Sequence, residues 1–253
     1  TGNANGAIAT YSAVFTLQLR PGPWGEVASN PMGYALFASG GSGSTNKNIT
    51  VSGSNDIVVG NGHSNNNISF SGVGGSASDA LSAVGTVTVP GGMPVGSTQQ
   101  GVTARTSPYN CQVSDLPSPS FSWGADVDLS TVQAVWQDWP TRSLLKPGVY
   151  YSTGKITLGL NNVTGTVTFV GNQVWVSGSN VTLWPYAGGM TLFATGTPTD
   201  SIKLTVDASR WRGVVYAPSG QALITPSIGD FTVYGSIVAQ GITLTGQNLR
   251  VVH

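Results

Sequence analysis

Charge is scarce in this chain. Lys, Arg, Asp and Glu together make up 8% of its 253 residues, against about 25% in an ordinary soluble protein. Glu26 is the sole glutamate, and lysine occurs only at 47, 146, 155 and 203. Ten acidic and ten basic residues balance to zero. With no basic run, nothing recruits nucleic acid or an anionic membrane. The balance also removes the repulsion that keeps copies of a protein apart. Cysteine is nearly absent: Cys111 stands alone, so no internal disulfide braces the fold. No stretch of about 18 apolar residues occurs, which excludes a transmembrane helix. No signal peptide is visible, and an opening at Thr1 is expected of a processed protein or a fragment. The polar surface must therefore come from Ser, Thr, Asn and Gly. Such a surface is uncharged and hydrogen-bonding, and it suits exported proteins, adhesins and ordered arrays.

What the chain does have is a repeated phrase. Ile49-Thr-Val-Ser-Gly-Ser-Asn55, Ile68-Ser-Phe-Ser-Gly72, Val174-Trp-Val-Ser-Gly-Ser-Asn180 and Ile242-Thr-Leu-Thr-Gly-Gln-Asn248 are near copies. Each alternates apolar and polar residues and then meets Gly, and three end in Asn. Gly and Asn tolerate positive φ and turn the chain. The first two copies begin 19 residues apart, which suits a solenoid coil of about 20 residues.

Residues 7–19 alternate over a longer span, with Ala9, Tyr11, Ala13, Phe15, Leu17 and Leu19 on one face. They predict a long half-buried strand, ended by Pro21-Gly22-Pro23. Short strands are expected at Ile49–Val51, Ile57–Val59, Ile68–Phe70 and Val84–Val89. Between 90 and 125 five prolines forbid a central strand, and a long loop wrapping the body is expected. A helix is then predicted: Asp128 caps it, Leu129, Val132, Val135, Trp136 and Trp139 form its apolar stripe, and Pro140 stops it. From Leu144 to His253 twelve short strands follow, with Gly turns between them. The expected fold is all-β, a right-handed parallel β-helix with one packed α-helix and a long N-terminal strand. Residues 1–23 form the extended segment. Residues 24–253 form one β-helix domain, with the Pro-rich loop and helix at 90–143.

From Pro147 onward, "PGVYYSTGKITL", "RGVVYAPSG" and "YGSIVAQGITLTGQNLRV" follow the rhythm of a known group. With Ala35-Leu-Phe-Ala38, Ile49–Asn55 and His63-Ser-Asn65, the chain resembles bacterial envelope proteins encoded with tight-adherence (Flp-type) and type IV pilus systems. That resemblance implies a surface-exposed β-helix behind a membrane or pilin-like segment. Pro147-Gly-Val-Tyr150, the helix expected near 129–139 and Gly235-Ser-Ile-Val-Ala239 are also similar to the microbial ice-binding β-helix family. Shared architecture does not fix a shared function.

Few residues suggest chemistry. Asp126 and Asp128 could bind Ca²⁺ or act as acid and base, but a helix cap and a solvated loop residue explain them more simply. His63 lacks a second ligand at metal spacing and is read as part of a stacked turn. Gly74–Asp79 is one poor copy of a Ca²⁺-binding Gly/Asp repeat and is read as a turn. Cys111 is read as filler, having no base beside it. Thr86/Thr88, Thr164/Thr166/Thr168 and Thr243/Thr245 could order water on a solenoid face, although Thr favours strands anyway. Asn48, Asn67, Asn162 and Asn180 open glycosylation sequons that Asn stacking also explains. Of the tryptophans at 24, 123, 136, 139, 175, 184 and 211, exposed ones would support a glycan or partner surface. Arg210 and Arg212 flank Trp211 with Asp207 nearby, a cluster without a second carboxylate.

These readings point to a non-catalytic structural protein of the bacterial surface, pilus-associated or a filament subunit, with no cofactor and no metal. It would be extracellular or at the cell surface. Its partners would be copies of itself or other pilus proteins, joined by strand addition through Tyr11, Ala13, Phe15, Leu17 and Leu19. The alternative is a β-helix that binds ice or glycan.

Overall fold

A computed structural model describes residues 33–41, 47–226 and 229–253. The strand expected at the N-terminus, with Tyr11, Ala13, Phe15, Leu17 and Leu19, falls outside the described residues, as does Trp24. Twenty strands follow one another in those that are described. The first eight are β1 (Tyr34–Ala38), β2 (Ile49–Val51), β3 (Ile57–Val59), β4 (Asn61–Ser64), β5 (Ile68–Phe70), β6 (Ser76–Ala83), β7 (Val87–Thr88) and β8 (Val95–Gln99). After a long connection come β9 (Phe121–Trp123), β10 (Val127–Asp128), β11 (Gly148–Ser152), β12 (Lys155–Gly159), β13 (Thr164–Gly171), β14 (Gln173–Ser179), β15 (Thr182–Trp184) and β16 (Met190–Ala194). The last are β17 (Ile202–Asp207), β18 (Ser209–Ile224), β19 (Phe231–Leu244) and β20 (Leu249–Val252).

Every named pairing is parallel, and the pairings form three ladders. The first runs β9-β11-β13-β16-β18-β19-β1-β4-β6-β8. The second runs β10-β12-β14-β17-β18-β19-β2-β5-β7. The third runs β13-β15-β18-β19-β20-β3-β6-β8. β18 and β19 are long because each bends through all three. Gly213 (φ 98°) and Gly235 (φ 150°) make one such bend in adjacent coils. A Cβ on Gly235 would lie 2.1 Å from the Gly213 carbonyl oxygen, so the coils stack here only because both residues are glycine.

Coil order does not follow chain order. β1, near the start of the described chain, stacks directly on β19, near its end. The described part of the chain therefore starts mid-stack and climbs outward to β8. It crosses back along the outside through residues 100–120, then climbs from β9 until β19 and β20 meet β1, β2 and β3.

The repeated phrase builds the corners. Asn55, Asn180 and Asn248, which close three of its copies, have φ of 59°, 55° and 56°. Asn180 Nδ2 donates to Asn162 Oδ1 at 2.9 Å, and Asn55 Nδ2 donates to Asn248 Oδ1 at 3.3 Å. The short amide side chain tolerates the left-handed backbone and bonds its copy in the next coil. The alternate apolar residues, such as Ile49, Val51, Ile68, Val174, Ile242 and Leu244, fill the interior. A second apolar layer lies outside the first ladder, where Tyr109, Cys111 and Leu116 of the returning segment cover Phe37, Val170, Phe193, Tyr216 and Val238.

The strand expected over Val84–Val89 is confined to Val87–Thr88, and three further expectations need correction. The α-helix over 129–139 is absent. Leu129–Thr131 and Gln133–Val135 are single 3₁₀ turns, and Val127–Asp128 is a strand. Leu129, Val132 and Val135 recur every third residue, which fits 3₁₀ turns. The β-branched Thr131, Val132 and Val135 also disfavour a helix. Asp128 still caps, with Oδ1 accepting from the Ser130 N–H at 3.0 Å. Trp136 then bridges back to Leu145 as an isolated antiparallel pair. Second, the Pro-rich stretch contains two edge strands: β8 pairs with β6 alone and ends the first and third ladders, and β9 pairs with β11 alone and opens the first. Third, Ser76–Asp79 belong to strand β6, not to a turn.

Candidate functional site

The second ladder carries an open face. Its inward residues are buried, and its outward ones form rows across the coils, because strand side chains alternate and parallel register stacks like positions. One row runs Thr157, Trp175, Lys203, Leu223, Thr243, Thr50, Ser69, Thr88. Two residues further along each strand, Ser177 pairs with Thr205. Thr205 Oγ1 lies 3.4 Å from Thr225 Oγ1. The backbone N–H groups of Thr225, Thr245, Ser52 and Ser71 donate to Leu204, Ile224, Leu244 and Val51 at 2.7, 2.9, 2.9 and 2.9 Å, which extends this row in register. Ser177, Thr205, Thr225, Thr245, Ser52 and Ser71 thus place six hydroxyls on six consecutive coils. All six side chains are exposed or half-buried. Neighbouring coils lie about 4.8 Å apart, and the two rows about 6.7 Å apart along the strands.

Charge stays at one end of this face. Lys155 Nζ and Lys203 Nζ sit 4.1 and 5.1 Å from the Trp175 ring centroid, on opposite sides of its coil. Trp175 also donates its indole N–H to the Asp200 carbonyl at 2.9 Å. From Leu223 to Thr88 both rows are uncharged.

Of the threonine pairs expected to order water, Thr243 and Thr245 sit on this face together with Thr88. Thr164 and Thr166 belong to the third ladder. Thr168 is buried, donating to the Met190 carbonyl at 2.6 Å and accepting from the Ala187 N–H at 3.0 Å. Thr50, Ser52, Ser69, Ser71, Ser177, Thr205 and Thr225 were not singled out from the sequence. Five of these seven are the alternate residues of the repeated phrase, so the signal for them was present.

Most of the remaining candidates have structural partners, while Trp139 and Trp184 are exposed. Asp126 Oδ1 accepts from the Lys155 N–H at 2.8 Å. His63 is buried on the first ladder, 2.9 Å from both Ser82 Oγ and Asn65 Oδ1. Asn65 Nδ2 donates to the Ser39 and Arg105 carbonyls, so its oxygen faces the ring. His63 therefore donates from Nε2 and accepts at Nδ1. Burial, helped by the Arg105 charge, holds its pKa below the usual imidazole value, while the Asn65 bond works the other way. Cys111, in the returning segment, is buried against the first ladder, and burial followed by the Asp115 charge pushes its thiol up to about 11. Such a thiol is not a nucleophile at neutral pH. Trp136 and Trp211 are buried, donating to the Leu129 and Val181 carbonyls at 2.8 and 3.1 Å. Arg210 and Arg212, on either side of Trp211, point outward. Asn67 Oδ1 accepts from the Thr86 N–H at 2.8 Å, and Asn162 and Asn180 pair with each other as above. Among the described residues no three His, Cys, Asp or Glu side chains gather as metal ligands, and no helix is long and apolar enough to cross a membrane.

No protein-family model and no curated protein matches the chain. Among solved structures, the chain is similar to the ice-binding protein of an Antarctic ascomycete, Antarctomyces psychrotrophicus. The identity is 11% and the TM-score 0.42, over 88% of this chain and 95% of that one. An overlap this loose carries no argument about function. No comparison supports a pilus or filament role.

Proposed function

We propose that this chain is a non-catalytic, exported protein whose second ladder binds ice. The row Ser177, Thr205, Thr225, Thr245, Ser52 and Ser71 carries the reading, because it repeats a donor and acceptor on six consecutive coils. Each hydroxyl offers one donor and two acceptor lone pairs. The coil repeat of about 4.8 Å is close to the spacing of equivalent oxygens in the basal plane of ice. Threonine is stiff at χ1, so its hydroxyl and methyl hold their places at little entropic cost. A lattice of neutral water offers nothing to pair with a fixed charge, and the row carries none. The solenoid itself is right-handed in this reading, the hand that parallel crossovers favour. Export fits the uncharged Ser/Thr/Asn surface and the near absence of Lys and Glu.

Thermal hysteresis and ice recrystallisation of the purified chain test the proposal. The unaltered protein should slow recrystallisation. Thr50→Lys and Thr245→Lys, in the middle of the two rows, should abolish the effect with the β signal in circular dichroism retained. Thr166→Lys, on the third ladder, should leave it intact. Absence of any effect from the unaltered protein would end this reading.

A further inference from the structure

The third ladder bears a different surface. Thr182, Trp184, Arg210, Arg212 and Tyr234 line a cleft of ≈ 280 Å³. The register builds it: Thr182 pairs with Arg210, and Arg212 with Tyr234, so the five residues occupy three consecutive coils. Trp184 and Tyr234 stand at its ends, 36% and 46% exposed, although aromatic side chains usually seek cover. The Arg212 guanidinium carbon lies 5.9 Å from the Tyr234 ring centroid, which holds one wall in place. Arg250 stands next to this group, two coils on from Arg210 across Thr232. Half of the chain's six arginines thus meet on one face of a molecule with no net charge. Asp207 and Asp230 precede these strands at the corner, and no carboxylate lines the cleft.

We infer that this cleft binds an acidic polysaccharide, a polyuronate lying along the solenoid axis. Aromatic rings stack on the apolar face of a sugar. A guanidinium forks two N–H donors onto a carboxylate. Trp184, Arg212 and Tyr234 alternate ring, cation and ring at the coil spacing of about 4.8 Å, close to the rise of one sugar in an extended chain. A neutral glycan would use the rings and leave the arginines unpaired. The site shares no residue with the hydroxyl rows, so the two proposals stand or fall separately.

The test is calorimetric titration of the full chain with oligogalacturonate, beside the same oligomer fully methyl-esterified and beside single-stranded oligoadenylate. The acid form should bind, with the ester at least about tenfold weaker. Arg212→Gln and Trp184→Ala should each weaken acid binding by about tenfold with an unchanged urea midpoint. Thr50→Lys should not weaken it. No binding of the acid form, equal binding of acid and ester, or wild-type affinity in both cleft variants would overturn the proposal. Tighter binding of oligoadenylate would overturn it in favour of a nucleic-acid surface.

Discussion

The first and second ladders are built from the same coils with the same parallel register, yet one is roofed and the other open. Their inward residues are equally apolar. They differ in the outward row. On the first ladder it reads Val170, Phe193, Tyr216, Val238, Phe37 before turning polar at His63 and Ser82. Residues 100–120 run back over this row, and Tyr109, Cys111 and Leu116 seal it. On the second ladder the corresponding rows are mostly Thr and Ser, and no segment of the described chain covers them. A greasy outward row obliges the chain to cover it; a hydroxyl row leaves the face free for something outside the molecule.

The largest expected effect comes from removing a ring under the roof. Phe193 packs with its ring 5.1 Å from that of Tyr216, and it is nearly fully buried. Phe193→Ala should cost about 3 kcal/mol through lost burial and a residual cavity. Thr225→Ala on the open face should change stability by no more than about 0.5 kcal/mol. Urea unfolding of the two variants checks this. Equal losses would mean that the faces do not divide structure from function as described.

The contrast also shows what could be read in advance. Ile49–Val51, Ile57–Val59 and Ile68–Phe70 are strands over the expected residues, because alternation followed by Gly or Asn leaves few other options. Spacing misled at 129–139, where an apolar residue every third position suits 3₁₀ turns as well as a helix. Side-chain direction within the phrase was legible too: Thr50 and Ser52 had to point away from Ile49 and Val51. Their alignment with Thr243 and Thr245 was not. It depends on β19 stacking against β2, across 193 positions of sequence, and no local pattern reports that.

A smaller effect is expected where the roofed row turns polar. Asn65 joins His63 to the roof, bonding the Arg105 N–H and carbonyl at 2.8 and 2.7 Å. Burial lowers the folded-state pKa of His63 below 6.5. The unfolded chain then takes up a proton that the folded chain resists. The stabilisation is complete above pH 6.5 and is lost as pH falls from there through the lowered folded value. The urea midpoint should therefore drop between pH 8 and pH 5, and His63→Leu should remove that slope while lowering the plateau. A slope that survives in the variant would assign the titration elsewhere.

The smallest effect belongs to the corner that leaves the open face. Asp56 is buried there; Oδ1 accepts from the Leu249 N–H at 3.0 Å, while Oδ2 meets no donor in good hydrogen-bond geometry among the described residues. Burial raises its pKa above 3.8, while bonds from the Leu249 and Gly53 backbones oppose the shift. The sign is opposite to that of His63. The folded chain holds this proton more tightly than the unfolded one, so stability falls as pH rises from 3.8 through the raised value. Above that value a buried carboxylate stays charged at a cost. Asp56→Asn keeps the acceptor for Leu249 and removes the charge. It should stabilise the chain at neutral pH by roughly 1 kcal/mol and erase this rise towards acid. Destabilisation at pH 7 would show instead that the carboxylate is satisfied in solution, and that this corner is as firmly held as the roofed face.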